Sequence, residues 1–340
     1  MSATANRKII FIVGNSRSGT TMMRRVLGNH ADIFMLEELH FFEQLWSSSD
    51  KNKRITKKEA TELAGKLLFI QRDGYLTQMD AGKYSAEASV IVSEIGEELF
   101  AHKVLESFLF YESAKHGKSI PCEKTPQDVF YIGEILSLFG GAKIVNMVRD
   151  PRGVMLSQKR KWQRRNMGAK FMTKKEQRRL KINYHPITIS KLWNAAIRAA
   201  HAFEKDPNMH TVIFERLVDD AENEVKKLCS FLELEFTPDM LQIPQVGSSN
   251  EADKPDAYGI KTERAGNWEK GGLNKGEIYI CQKQCAAYLQ EYGYEIKDFR
   301  PGIFLLLYYY ISFPVKLGLA VLFNLHRMKN IFEAIRRRMK

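Results

Sequence analysis

The segment Ile9-Ile10-Phe11-Ile12-Val13-Gly14-Asn15-Ser16-Arg17-Ser18-Gly19-Thr20-Thr21 constrains this chain more than any other. Five β-branched or aromatic residues, the length of one buried strand, stop at a polar loop bracketed by two glycines. Met22, Met23, Val26 and Leu27 then recur at helical spacing. A strand, a tight loop and a helix start aim several backbone N–H groups and the positive end of a helix dipole at one anion. Gly14 and Gly19 allow positive φ, and Ser16, Ser18, Thr20 and Thr21 add hydroxyl donors. The glycine spacing is that of a Walker A loop, but Thr20 stands where that loop carries lysine, which argues against ordinary ATP or GTP chemistry.

The same design returns once. Lys143 to Val148 is a second apolar strand, followed by the turn Arg149-Asp150-Pro151-Arg152-Gly153 and a helix that carries Ser157. Proline suits the first helical turn. Two such junctions on neighbouring parallel strands place both turns at the carboxyl edge of one sheet, where open α/β folds bind ligands. The pair suits a ligand with two separated phosphate groups, and the planar arginine fork suits an oxyanion.

Net charge is +12, unevenly spread over the 340 residues. Fourteen Lys/Arg face only Asp150 and Glu176 between Lys143 and Lys181, and eight face only Glu333 from Arg300 to Lys340, so the remaining body is mildly acidic. Two local basic zones indicate local anionic partners rather than nucleic acid. Within the first zone, Lys174 to Lys181 is expected to be a solvated face. The four cysteines show neither a paired framework nor zinc spacing, which fits reduced core thiols in a cytoplasmic compartment. No metal site is expected.

A short apolar run from Ile33 ends in Glu37-Glu38-Leu39-His40, delivering two carboxylates and an imidazole to a strand end. Ser119 to Pro126, with Glu123-Lys124, is extended because residues before proline avoid the helix. Gly247 to Gly259 has the composition of a surface loop, and it runs on to Arg264-Ala265-Gly266-Asn267-Trp268. Gly302 to Leu325 is almost continuously apolar, interrupted by Pro314 and charged only at Lys316. Leu325, Met328, Phe332, Ile335 and Met339 continue as a helical stripe with basic residues opposite, as interfacial helices do. Residues 302–340 are therefore expected on an anionic membrane surface, in interfacial or re-entrant association, with a true span or a hydrophobic dimer or core element as alternatives.

The loop Asn15 to Thr21 together with Arg149 to Ser157 resembles the two nucleotide motifs of the sulfotransferases that use 3′-phosphoadenosine 5′-phosphosulfate. Glu123-Lys124-Thr125-Pro126, Phe214 to Val218, Cys229 to Leu232 and, loosely, Arg264 to Trp268 extend the resemblance from Ile9 to about Tyr294. It implies a three-layer, P-loop-like α/β fold, with a central parallel sheet flanked by helices and a C-terminal hydrophobic helical tail. The implied domains are 1–299 for the enzyme and 300–340 for the tail. It further implies that Gly14, Asn15, Ser16, Arg17, Ser18, Gly19, Thr20 and Thr21 cradle the 5′-phosphate. Arg149, Ser157 and Arg264 would hold the 3′-phosphate, Lys124 would serve the leaving oxygen, and Trp268 would pack near the nucleotide. The spacing from Arg17 to the acidic pair is similar to that of tyrosylprotein and related bacterial sulfotransferases, which makes Glu38 the base, with Glu37 and His40 as substitutes. His40 stands where the tyrosylprotein enzymes carry arginine, so the expected acceptor is a carbohydrate, lipid or other alcohol. A P-loop kinase and a non-catalytic nucleotide-binding membrane adaptor are the competing assignments.

Overall fold

The computed structural model describes residues 7–74, 80, 82–167, 172–262, 265–324 and 331–339. Five parallel strands form its central sheet: β1 (Ile9–Gly14), β2 (Ile33–Met35), β3 (Ile120–Glu123), β4 (Ala142–Val148) and β5 (Met209–Ile213). Their spatial order is β2-β3-β1-β4-β5. The chain thus leaves β1 toward one edge and later crosses to build the other, which makes the β1–β4 boundary a topological switch point.

Strand β1 shows why three layers form. Ile9, Phe11 and Val13 enter one apolar cluster with the helices Lys57–Asp73, Ser85–Ser93 and Ala101–Lys115. Ile10 and Ile12 point to the opposite face and meet the helices Thr20–Gly28, Phe214–Asp219 and Ala221–Leu232. Alternate side chains of a strand face opposite ways, so an unbroken apolar run requires cover on both sides. All five are fully buried, each contributing about 1.5–3 kcal/mol.

Parallel register aligns the strand ends. Gly14 pairs with Met147, Phe11 with Glu123, and Met35 with Cys122. The loops after β1, β2, β3 and β4 therefore emerge along one edge, carrying Asn15–Gly19, Glu38, Lys124 and Arg149. Gly14 adopts φ 139°, and a Cβ there would strike the Met147 carbonyl oxygen. Gly19 adopts φ 98°, and a Cβ there would lie 2.5 Å from the Phe214 ring.

The C-terminal segment is helical from Ile303 to Asn324 and again from Ile331 to Met339. The first helix has the length and composition to cross a membrane. One of its faces is docked: Tyr309 is buried beside Ile187 and Ile280 and accepts a hydrogen bond from Asn274 Nδ2 at 2.7 Å. In the second helix Arg337 pairs with Glu134 at 2.5 Å, and Arg338 pairs with Glu43. These two arginines hold protein carboxylates, whereas Arg336 and Phe332 are exposed. Part of the basic face opposite the apolar stripe is thus used in docking. Leu325 and Met328 of the expected stripe lie outside the described residues.

Replacing Gly14 with alanine combines a disfavoured backbone conformation with a backbone collision. Gly14→Ala should lower unfolding free energy by at least about 2 kcal/mol in urea denaturation.

Candidate active site

A cavity of about 400 Å³ opens at the carboxyl edge of the sheet. Ser16, Arg17, Gly19, Thr20 and Thr21 line it from the first loop, and Arg149 and Ser157 from the second. The loops are tied together: Arg17 Nε donates to Ser157 Oγ at 2.9 Å, and Arg149 Nη1 donates to the Arg17 carbonyl at 3.3 Å. Arg17 takes φ 77°, an uncommon value for a side-chain-bearing residue. Among the described residues its guanidinium is held by neutral oxygens, Ser249 Oγ at 2.7 Å and the Gly247 carbonyl at 3.3 Å besides Ser157. Burial, then Arg149 and Arg164, push its pKa down to about 10. Such crowding of like charges is relieved by a polyanion. Ser18 Oγ is buried without a hydrogen-bond partner among the described residues.

The turn after β4 is rigidly supported. Asp150 caps the helix Pro151–Arg160 by accepting from Arg152 N at 2.8 Å. Trp193 Nε1 donates to the Arg149 carbonyl at 2.9 Å, and the Arg149 guanidinium lies 4.1 Å from the Phe214 ring centroid. Arg152 points away from the cavity, where it chelates Asp150 and stacks 4.0 Å over Trp268. Trp268 is therefore occupied in packing, while its neighbour Asn267 lines the cavity. Arg264 lies outside the described residues.

On the opposite wall Glu38 forms an ion pair with the buried Lys124, and His40 Nε2 lies 3.5 Å from its other oxygen. Burial pushes the Glu38 carboxyl up, but the Lys124 ammonium and its hydrogen bond, with His40, outweigh this and hold it below the usual carboxylate range. Glu38 is thus ionised at neutral pH. Glu38 and His40 line the cavity, and Lys124 reaches it through Glu38. Glu37 turns outward and pairs with Arg24 at 2.5 Å, half exposed. Gly14, Asn15 and Ser18 support the loop from behind.

The last residue of β3 fixes the turn that carries Glu38 and His40. Glu123 Oε1 accepts from Leu39 N at 3.2 Å and from Thr125 Oγ1 at 2.5 Å, while His40 N donates to Thr125 Oγ1 at 3.3 Å. Its other oxygen is buried without a partner among the described residues. Burial pushes this carboxyl up to about 7, against the opposing pull of Thr125, Leu39 and Lys124.

Several cavity residues escape a reading of the sequence. Gly247–Asn250, taken for surface loop, form part of the wall. Lys161, Glu176 and Arg179 line it too, although Lys174 to Lys181 reads as a solvated face. The excess of positive charge near Arg149 was the available signal, but it could not say which side chains turn inward. Burial, followed by Arg17, lowers the Lys161 pKa to about 8.

Residues 10–238 match a family model described as the sulfotransferase family. A Caenorhabditis briggsae protein that bears the provisional name protein-tyrosine sulfotransferase is 27% identical over 238 residues, covering 69% of this chain and 68% of its own. Rat protein-tyrosine sulfotransferase 1 is 30% identical over 155 residues, 43% of this chain but only 32% of its own. Among solved structures, the sulfotransferase domain from the curacin biosynthetic pathway superposes with a TM-score of 0.53 at 20% identity, covering 85% of this chain and 99% of that one. The sulfotransferase domain of a Synechococcus olefin synthase gives 0.52 at 19% identity, covering 85% and 96%.

Glu123 supplies a pH test of the buried wall. Its folded pKa lies above the unfolded carboxylate value, so between the two the native state holds more protons and stability falls as pH rises. Glu123 should contribute a decline in unfolding free energy from about pH 4.5 to pH 7 with a limiting slope of about 1.4 kcal/mol per unit. The buried Asp128 carboxyl, also pushed up by burial and by Glu123, adds in the same direction, and Glu123→Gln should flatten the decline. Urea titrations across this pH range read it directly. The match over residues 10–238, the parallel sheet and the two anion loops meeting in one cavity place this chain in the sulfotransferase family.

Proposed function

We propose that the chain transfers a sulfuryl group from 3′-phosphoadenosine 5′-phosphosulfate to a hydroxyl on a carbohydrate, lipid or other alcohol. The observation that carries this reading is the Arg17–Ser157 bond, which makes one cavity of two anion-binding junctions. The cavity volume is in the range of small-ligand sites. Ser16, Gly19, Thr20 and Thr21 hold the 5′ end, and Arg149 with Ser157 the 3′-phosphate. Arg17 extends from the first loop into the second group, so its charge serves the 3′ end as well. Arg264 is assigned to that phosphate by resemblance alone.

The donor supplies the sulfuryl group. The acceptor oxygen bonds to sulfur as the bond from sulfur to the 5′-phosphate oxygen breaks. Glu38 takes the acceptor's proton, a role that requires reach and an ionised carboxylate. Lys124, held against Glu38, offsets negative charge that builds on the departing phosphate. His40 steadies Glu38, and Glu37, engaged by Arg24, stands aside. A loose in-line displacement leaves the protein mainly positioning and charge stabilisation to supply. Thr20 in the Walker lysine position weighs against a kinase, and the Glu38–Lys124 pair weighs against a catalytically inert adaptor.

We also assign residues 302–340 to a membrane surface, with the enzyme domain on the cytoplasmic side. The long apolar helix and its exposed side chains support the membrane placement, and the four cysteines, all free and buried, are in keeping with a reducing compartment.

Two substitutions test the chemistry. Glu38→Gln should reduce transfer of radiolabelled sulfate to membrane extracts and small alcohols by at least about 100-fold, with nucleotide affinity intact. Unchanged turnover would remove Glu38 as the base. Arg149→Ala should weaken 3′,5′-bisphosphoadenosine at least about tenfold more than AMP in calorimetry. An equal loss for both would refute its part at the 3′-phosphate.

A further inference from the structure

The turn that carries Glu38 and His40 runs directly into an unusual element. Phe41–Leu45 is a π-helix, and His40 at its N-terminus takes φ 50°, in the left-handed region that a side-chain-bearing residue seldom adopts. Gln44 N donates to the His40 carbonyl at 3.0 Å, so the helix and the turn form one piece. A residue in this conformation costs about 1–3 kcal/mol and persists only where its surroundings over-determine it.

Part of that support is the core. Phe41 and Phe42 are buried, and Phe42 stacks on Tyr131 with ring centroids 5.4 Å apart. The rest comes from a residue 295 positions later in the chain. Glu43, in the middle of the π-helix, has a side chain only 9% exposed and forms an ion pair with Arg338 of the helix Ile331–Met339. That helix is fastened on both sides of this pair. Arg337 donates to the Phe130 carbonyl at 2.9 Å, pairs with Glu134, and lies 4.2 Å over the Tyr131 ring. Glu333 accepts from Ser48 N at 3.3 Å, and Arg337 Nη2 donates to Ser48 Oγ at 2.9 Å.

These contacts join two stretches of chain. Glu43 and Ser48 follow the turn that bears Glu38, whereas Phe130, Tyr131 and Glu134 follow the turn that bears Lys124. The helix therefore ties together the two segments whose ends meet in the Glu38–Lys124 ion pair. It lies outside residues 10–238, which match the family model. Without the Arg338 guanidinium, the enclosed Glu43 carboxylate would lose that counter-charge, and the π-helix would have to open for water to reach it. A displacement of about 1 Å in a group that takes part in transfer is enough to lower the rate about 100-fold.

We propose that the helix Ile331–Met339 is a strap across the wall that bears Glu38 and Lys124, and that Arg338, acting through Glu43, is a positioning residue for the turn that presents Glu38. This rests on the reading of Glu38 as the base.

The test follows transfer of radiolabelled sulfate from 3′-phosphoadenosine 5′-phosphosulfate to membrane extract by the full chain. Arg338→Gln should lower kcat at least about tenfold, while the donor KM and the affinity for 3′,5′-bisphosphoadenosine change less than about threefold. Arg338→Lys should recover most of the loss. Glu43→Gln should match Arg338→Gln, and the two together should cost no more than either alone, because both act through one contact. In a Glu38→Gln background, Arg338→Gln should cost less than about threefold, since the group it positions is gone. Arg338→Gln should float with phosphatidylglycerol vesicles to the same extent as the unmodified chain. An unchanged kcat in Arg338→Gln would overturn the proposal. So would an equal fractional loss in both backgrounds, which marks a purely structural role. Loss of flotation in step with kcat would make Arg338 a membrane contact and overturn it as well. If Arg338→Gln fails to fold by circular dichroism, Glu43→Gln carries the same comparisons. Unchanged turnover in Glu38→Gln itself would remove the base and this proposal with it, whereas a Glu38 effect without an Arg338 effect removes this proposal alone.

Discussion

The close approach of β1 to β4 at Gly14 and Met147 is the constraint on which the site depends. Parallel pairing in this register brings the first loop and the Arg149 turn side by side, and only a residue without Cβ permits it at that spot. From there the Arg17 side chain reaches Ser157 and its carbonyl receives Arg149. Any bulk at Gly14 separates the two turns before it affects the rest of the core, because both apolar layers lie on the faces of the sheet rather than at its edge.

The electrostatics of the cavity are divided between its walls. One wall concentrates guanidinium groups, with Arg17 half-buried and its pKa lowered by desolvation, Arg149 and Arg164. The other sets Glu38 against Lys124 over the buried carboxyl of Glu123. Holding like charges together destabilises the protein without ligand, and an anion bound between them recovers that free energy. The same separation suits the proposed group transfer: the cationic wall would bind a charged donor, and the paired wall would offer an ionised carboxylate next to a lysine.

Much of this was legible from the chain. Strand β1, its glycine loop and the Arg149–Ser157 junction carry local punctuation that specifies a strand–turn–helix whatever the surroundings. The family resemblance from Ile9 onward matches the family found over residues 10–238. Neighbouring residues on a turn were harder to separate: Glu37 and Glu38 look alike in sequence, and only the fold sends one to Arg24 and the other to Lys124. Arg179 and Lys161 sit in a basic run whose inward and outward members are distinguished by helix orientation, not by residue type. Gly247–Asn250 have loop composition, but their backbone carbonyl and hydroxyl groups hold Arg17. Trp268 reads as a nucleotide-side aromatic and instead packs on Arg152.

A cavity built from two anion junctions without a Walker lysine should select its nucleotide by a second phosphate at the 3′ position. Calorimetric titration of the unmodified chain with 3′,5′-bisphosphoadenosine, AMP, and ATP with magnesium measures this most directly. The account predicts that bisphosphoadenosine binds at least about tenfold more tightly than either competitor, a difference of about 1.4 kcal/mol or more. Binding of magnesium ATP as tightly as, or more tightly than, bisphosphoadenosine would contradict it.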